Sequence, residues 1–268
     1  ENLADFRAEI IDGDAADEAT AMKACEGVER VFHLAARASV PFSIACPAEA
    51  ERANLGTTRA LLSASGAGGV SRFVFSSSSA IYGNSPELPK EEGMEVAPAS
   101  PYADQKLAGE AALAEAHGPD LGCVSLRYFN VFGPRQDPSS PYSGVISLFA
   151  RHAQREEAAA IFGDGSQTRD FIYVDDVVRA NLLAGELSEL DQAAVLNVGT
   201  GSAVSVLDLW HSLCRLAGRE VIPPCFLPAR DGDVLHSVCH PGRASTAMDF
   251  RSEISIEDGL KATLAFLA

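Results

Sequence analysis

The sequence predicts an α/β protein built on a parallel sheet, and three observations carry that prediction. Short apolar runs alternate with helical stretches at the spacing of strand–helix–strand units. Small and polar residues collect where those runs end, at Asp14, Ala35-Ala36, Ser76 to Ser79 and Phe129-Asn130. The carboxyl ends of parallel strands are where such folds bind their ligands. A chain of 268 residues with 47% hydrophobic content can also bury one large core or two small ones.

The elements follow in order. Phe6 to Ile11 reads as a short strand ending at Asp12-Gly13-Asp14, and Ala15 to Cys25 as a helix. Val28 to Leu34 is a second strand running into Ala35-Ala36. Pro47 to Ser65 is a long helical pattern stopped by Gly66 and Gly68-Gly69. Arg72 to Ser76 is a third, apolar strand, and a helix begins near Tyr102 and ends at Gly118-Pro119. Cys123 to Tyr128 is a fourth strand. Beyond Asn130 the pattern loosens. A loop over 133–138 precedes a helix from Gly144 to Gln154, and Ile161-Phe162 and Asp170 to Val174 are strand pieces around a Gly163-Asp164-Gly165 turn. Asp175 to Gly185 returns to helix and Val195 to Val198 to strand. Ser205-x-x-Asp208 and Ser255-x-x-Asp258 have the form of helix-start caps. There is no internal repeat, low-complexity tract or clear linker.

Composition narrows the function. A net charge of −16 argues against a general binder of nucleic acid or membrane, whose surfaces are anionic. An anionic substrate would need local arginines. No apolar run approaches a membrane span, and no basic-then-apolar signal segment opens the chain. The six cysteines include no C-x-x-C pair, which predicts reduced thiols in a cytoplasmic protein and no metal site.

The chemistry concentrates in one stretch. The run Phe73-Val74-Phe75 ends in Ser76, Ser77, Ser78 and Ser79, followed by Tyr82-Gly83. Some twenty residues on comes Tyr102-x-x-x-Lys106. Residues four apart share a helix face, so both can point into one site. Ser100 suits the N-cap and Pro101 the first helical position, which puts Tyr102 in the first turn. A phenol beside an ammonium and a positive helix end is expected to lose its proton more easily than a free one. Tyr102 is therefore a candidate general base, with the Ser78 hydroxyl to share the proton. The plainer alternative makes Tyr102 and Lys106 ordinary helix residues, and the serine block argues against it.

With these residues go His33-Leu34-Ala35-Ala36, Asn54-Leu55-Gly56-Thr57, Arg127 to Gly133, Arg169 to Val174, and Arg230-Asp231-Gly232-Asp233. The set, in this order, resembles the extended short-chain dehydrogenase/reductase superfamily, and within it the NAD-dependent epimerase/dehydratase family, the UDP-hexose 4-epimerases above all. The resemblance implies a Rossmann-type doubly wound sheet, with residues 1–130 and 174–198 binding NAD. Residues 131–173 and 199–268 would form a smaller α+β lobe for a nucleotide sugar. One departure is large: the glycine-rich turn that holds the cofactor pyrophosphate in this family is not in the sequence. The resemblance thus implies a truncated chain, lacking the first βαβ unit of roughly forty to fifty residues. As given, it is expected to bind NAD poorly or not at all.

The resemblance also implies roles. Asp14 would bind the adenine, or else serve as a turn-forming aspartate. Ala35, Ala36 and Ser76 would line the cofactor, Asn54 would steady its loop, and Tyr128 would lie near the nicotinamide. Ser78, Tyr102 and Lys106 would be catalytic, with Lys106 also holding the nicotinamide ribose. Asn130, Val145, Arg169, Arg230, Asp233 and Ser237 would contact the substrate, the arginines on its diphosphate, unless they are surface ion-pair residues. Ser237 matches a position beside the sugar C2 substituent, where a small side chain leaves room for an N-acetyl group. The family usually has Ala-Asp near Cys239-His240.

The implied reaction is 4-epimerisation of UDP-glucose/UDP-galactose or the N-acetylhexosamine pair. Dehydratases of this family place a carboxylate just after the catalytic Ser or Thr, where this chain has Ser79 and Ala80. A UDP-glucuronate epimerase or a nucleotide-sugar dehydratase is the alternative within the fold. A non-catalytic dinucleotide-binding protein, or an inactive fragment, is the alternative outside it. The resemblance further implies a homodimer through the helices that contain Pro47 and Tyr102.

Overall fold

A computed structural model of the protein describes residues 7–136, 144–187, 190–229 and 234–268. The chain runs through α1 (Glu18–Cys25), β1 (Arg30–His33), α2 (Val40–Ala45) and α3 (Pro47–Glu51). A single π turn, Arg52–Gly56, joins α3 to α4 (Thr57–Gly68). The long helical pattern from Pro47 is thus one helix with a widened turn, and Gly69 ends it in the left-handed conformation, φ 75°. Strand β2 (Arg72–Ser78) leads into a 3-10 turn, Ser79–Tyr82. Then come α5 (Pro101–Ala116), β3 (Gly122–Tyr128) and β4 (Asn130–Phe132).

The four-stranded sheet has the order β1-β2-β3-β8, where β8 (Ala194–Val198) follows β5 (Ala160–Phe162), β6 (Thr168–Arg169) and β7 (Phe171–Tyr173). All its pairings are parallel. Both faces are covered, which explains the near-continuous apolar runs. Phe73, Phe75 and Cys123 pack with Leu61, Leu62 and Leu113 of α4 and α5. Val74, Val124 and Leu126 pack on the other side with Val177, Ala180 and Ala184 of α7 (Val174–Glu186). This is the predicted α/β fold, a parallel sheet wound on both sides.

A separate core joins α6 (Val145–Arg155), α8 (Val206–Leu216) and α10 (Ile256–Leu267) around Phe149, Trp210 and Leu264. The two predicted caps are formed, with Ser205 and Ser255 Oγ accepting from the Asp208 and Asp258 amides at 3.0 and 3.1 Å. Short pieces the pattern gave no warning of complete this part: β9 (Val204–Ser205), β10 (Cys225–Leu227), β11 (His236–Ser237) and α9 (Gly242–Met248). Segments of two or three residues carry too little periodicity to read.

One expected strand is not formed. Residues 7–11 pair with no described strand, and Ile10 is 71% exposed. The alternation there fits a strand, but a strand is defined by its ladder, and β1 is paired only through β2.

Candidate active site

The carboxyl ends of β2 and β3 and the first turns of α5 meet at one cavity of about 350 Å³. Ser77, Ser78, Tyr102, Tyr128, Asn130, Gln136 and Val145 are among its lining residues. Local sequence places each. Ser100 Oγ accepts from the Ala103 amide at 3.2 Å, capping α5 as its sequence predicts. Ser43 Oγ accepts from the Tyr102 amide at 3.1 Å, tying α2 to the same first turn. Ser78 ends β2, where its Oγ accepts from the Ala80 amide at 3.1 Å. Gly83 lets the chain turn away: its φ is 53°, and a Cβ there would lie 1.8 Å from the Ala97 carbonyl oxygen.

Ser78 and Tyr102 both line the cavity, with the Ser78 hydroxyl placed to favour the Tyr102 phenolate by hydrogen bonding. Lys106 lies one turn below, buried, its ammonium donating to the Ser76 carbonyl at 2.6 Å and standing 4.8 Å over the Phe75 ring. Burial pulls that ammonium down to about 8 from its ordinary 10.5. The expectation for Tyr102 needs correction. Its phenol is pushed up, not down, because burial outweighs the Ser78 hydrogen bond. Lys106 stands 5.8 Å from the Tyr102 ring centre and gives one of its N–H donors to the Ser76 carbonyl.

Tyr128 is held from the opposite face of the sheet. Its hydroxyl donates to Asn181 Oδ1 at 2.9 Å, leaving Ser76 Oγ to donate to it at 3.2 Å. Asn54 sits in the π turn, where widened turns often carry function. Its Oδ1 accepts from the Arg37 amide at 2.7 Å and its amide donates to Gln105 at 2.7 Å. That pins the loop of Ala35 and Ala36 beside α5. His33, at the end of β1, bonds Thr58 Oγ1 at 2.9 Å, and burial, then Lys106, hold it down at about 3.

The remaining predicted residues stand further out. Asp14 is half exposed, accepting from the Ala16 amide at 2.9 Å and from Arg52 at 2.8 Å, so it makes the turn its alternative reading foresaw. Arg169 and Ser237 are register partners between β6 and β11. Asn130 donates to the Asp170 carbonyl at 3.1 Å. Arg230 and Asp233 lie outside the described residues.

Three features were not foreseen. Asp170 is buried, with Oδ1 accepting from the Thr200 amide and hydroxyl and Oδ2 from the Gly201 and Cys239 amides. It fastens the loop after β8 and the segment after β11 to the edge of the cavity. Gln136 presents a buried amide oxygen with no hydrogen-bond partner among the described residues. Beneath Ser78 lies an ion pair, Arg127 with Glu110, at 2.7 Å. Glu110 was legible in principle, since it extends the Tyr102, Lys106 spacing by four more residues along the same helix face.

The residues present fit one half of a dinucleotide. Tyr102, Lys106 and Tyr128 converge where a nicotinamide ribose would need hydroxyl and ammonium donors, and the loop of Ala35 and Ala36 supplies open backbone beside them. A parallel sheet with such a Ser-Tyr-Lys group at its carboxyl edge defines a dinucleotide-dependent enzyme that moves a hydride and a proton together. The comparisons with known proteins are specific. The profile of the NAD dependent epimerase/dehydratase family matches residues 1–199, and the chain belongs to that family. It is 36% identical over 262 residues to the UDP-glucose 4-epimerase of Mycolicibacterium smegmatis, covering 97% of this chain and 81% of the relative. The UDP-glucose 4-epimerase of Thermotoga maritima, solved with UDP-glucose, superposes with a TM-score of 0.90 at 36% identity, covering 100% of this chain and 89% of that one. The UDP-N-acetylglucosamine 4-epimerase of Methanobrevibacter ruminantium, solved with UDP-N-acetylmuramic acid, does so with 0.90 at 36%, covering 96% and 82%.

Proposed function

We propose that the protein catalyses NAD-dependent 4-epimerisation of a UDP-hexose, with the N-acetylhexosamine pair as the preferred substrates. The observation that carries this is the content of the cavity. It holds the Ser78 and Tyr102 hydroxyls, and no carboxylate among its described lining residues. Epimerisation needs only a proton relay and a hydride acceptor, whereas elimination needs a further acid or base. Ser79 and Ala80, in the 3-10 turn after Ser78, supply none.

In this reading Tyr102 removes the proton from the sugar O4, with Ser78 bridging the two oxygens. When bound, NAD supplies the hydride acceptor for C4 and returns the hydride, and it brings a positive charge that favours the phenolate. Lys106 and Tyr128 hold its nicotinamide ribose, and Asp14, Ala35, Ala36, Asn54 and Ser76 its surroundings. The 4-keto sugar turns over in the cavity, and Tyr102 returns the proton to the other stereoisomer. Residues 131–173 and 199–268 hold the nucleotide sugar, through Val145, Arg169, Arg230, Asp233 and Ser237, joined by Asn130 at their border. Two features support an N-acetylhexosamine: the small Ser237 side chain, and the Gln136 oxygen, which has no partner among the described residues and can accept from an acetamido N–H or a sugar hydroxyl. No cation lines the described cavity, which disfavours the carboxylate of UDP-glucuronate.

The test assays the protein with NAD and UDP-sugars. The protein should interconvert C4 stereoisomers of UDP-N-acetylhexosamines faster than those of UDP-hexoses. Tyr102→Phe should lower kcat by at least about 100-fold. Full activity in that variant would refute the mechanism, and accumulation of a dehydrated 4-keto product would refute the reaction.

A further inference from the structure

We infer that Glu110 and Ser77 form a positioning device that sets the distance between the Ser78 and Tyr102 hydroxyls. This deepens the epimerase reading and rests on it for its kinetic arm. Glu110 lies on α5 two turns beyond Tyr102, and its carboxylate is 6% exposed. One oxygen, Oε1, accepts from Ser77 Oγ at 2.5 Å and from Arg127 Nε at 2.9 Å. The other accepts from Arg127 Nη2 at 2.7 Å. One buried carboxylate thus grips three elements: the helix of Tyr102 and Lys106, the strand of Ser78 and the strand of Tyr128.

The register shows why this reaches the chemistry. Ser77 pairs with Arg127, and Ser78 with Tyr128, on adjacent parallel strands. Successive side chains point to opposite faces. Ser77 and Arg127 turn toward α5 and meet Glu110, while Ser76 and Tyr128 turn toward α7 and meet Asn181. The carboxyl end of the sheet is therefore tied on both faces, through Ser77 next to Ser78 and through Tyr128 itself. Beside it, Lys106 ties α5 to β2 through a backbone oxygen, that of Ser76. A general base and its proton-sharing partner must be held within hydrogen-bond reach, and small misplacements are costly in rate.

Ser77→Ala removes the helix–strand tie and leaves both charges paired. Tyr82→Phe is the control for loss of buried polar contacts alone. Its hydroxyl bonds Arg127 at 3.0 Å and Asn197 at 2.7 Å, and bonds neither Ser77 nor Glu110. Two readouts are taken on the protein. The ultraviolet titration of Tyr102, isolated by subtracting Tyr102→Phe, needs no substrate. Ser77→Ala should move it to higher pH, because the Ser78 bond that favours the phenolate loosens; Tyr82→Phe should leave it in place. The second readout is kcat against KM for 4-epimerisation. Ser77→Ala should lower kcat roughly tenfold with KM unchanged, and Tyr82→Phe should lower the melting temperature without changing kcat. An unmoved Tyr102 titration in Ser77→Ala overturns the inference, as does an equal shift in Tyr82→Phe. A shifted titration in a wild type that epimerises nothing would keep the positioning role and reject the proposed reaction.

Discussion

Lys106→Met should stabilise the protein near neutral pH while destroying its activity. Burial lowers the Lys106 ammonium from 10.5 to about 8. Each unit is worth about 1.4 kcal/mol, so holding the charge inside costs on the order of 3 kcal/mol. The sign follows from proton counts. Between pH 8 and 10.5 the unfolded chain keeps the Lys106 proton and the folded one sheds it, so raising the pH favours folding. Below pH 8 both states are protonated and the full cost applies. Methionine has similar length and no charge, so it removes the cost at every pH. The assay is denaturant unfolding of both proteins without cofactor, from pH 7 to 10.5. Lys106→Met should be more stable by up to about 3 kcal/mol at pH 7, and the gap should close as the pH rises. Other groups titrate in that range, but they are common to both proteins and cancel. A difference that stays flat with pH would refute the reasoning, since it would mean that the ammonium is not paying a burial penalty.

Two further outcomes follow from buried groups around the same cavity. His33, held down at about 3 from 6.5, stays neutral when folded and takes a proton when unfolded, so its contribution is complete above pH 6.5 and is lost as the pH falls towards 3. His33→Leu should flatten the acid limb of the stability curve, by up to roughly 5 kcal/mol, and an unchanged limb in acid unfolding would count against it. Asp170→Asn would turn an amide N–H₂ against two of the four donors that now meet the carboxylate. A loss of about 3 kcal/mol is expected, seen as a melting temperature lower by roughly 6–12 °C, and calorimetry within a degree of wild type would refute it.

The sheet and the Ser-Tyr-Lys group were legible because each rests on a local rule. Apolar runs of strand length gave β2 and β3, and Ser100-Pro101 with Tyr102-x-x-x-Lys106 gave the start and inward face of α5. What sequence could not supply were the outcomes of long-range competition. Whether Tyr102 is made more or less acidic depends on burial against neighbouring charge, and only packing decides which is larger. Whether residues 7–11 form a strand depends on a neighbour and not on their own alternation. Asp170 is surrounded by donors from residues 200, 201 and 239, a convergence that no spacing within its own motif announces.

The unforeseen ion pair also explains how a costly site stays in place. Lys106 sits buried near the start of α5, and below pH 8 its charge opposes folding. A fold could relieve that by letting the carboxyl ends of its strands splay and water enter. The Glu110 and Arg127 pair resists that, because separating β3 from α5 would strand two buried charges, which typically costs 3–5 kcal/mol for either one left alone. Splaying would therefore forfeit about as much as it recovered from Lys106. The burial cost of the Lys106 charge is thus offset by an ion pair that does not line the cavity.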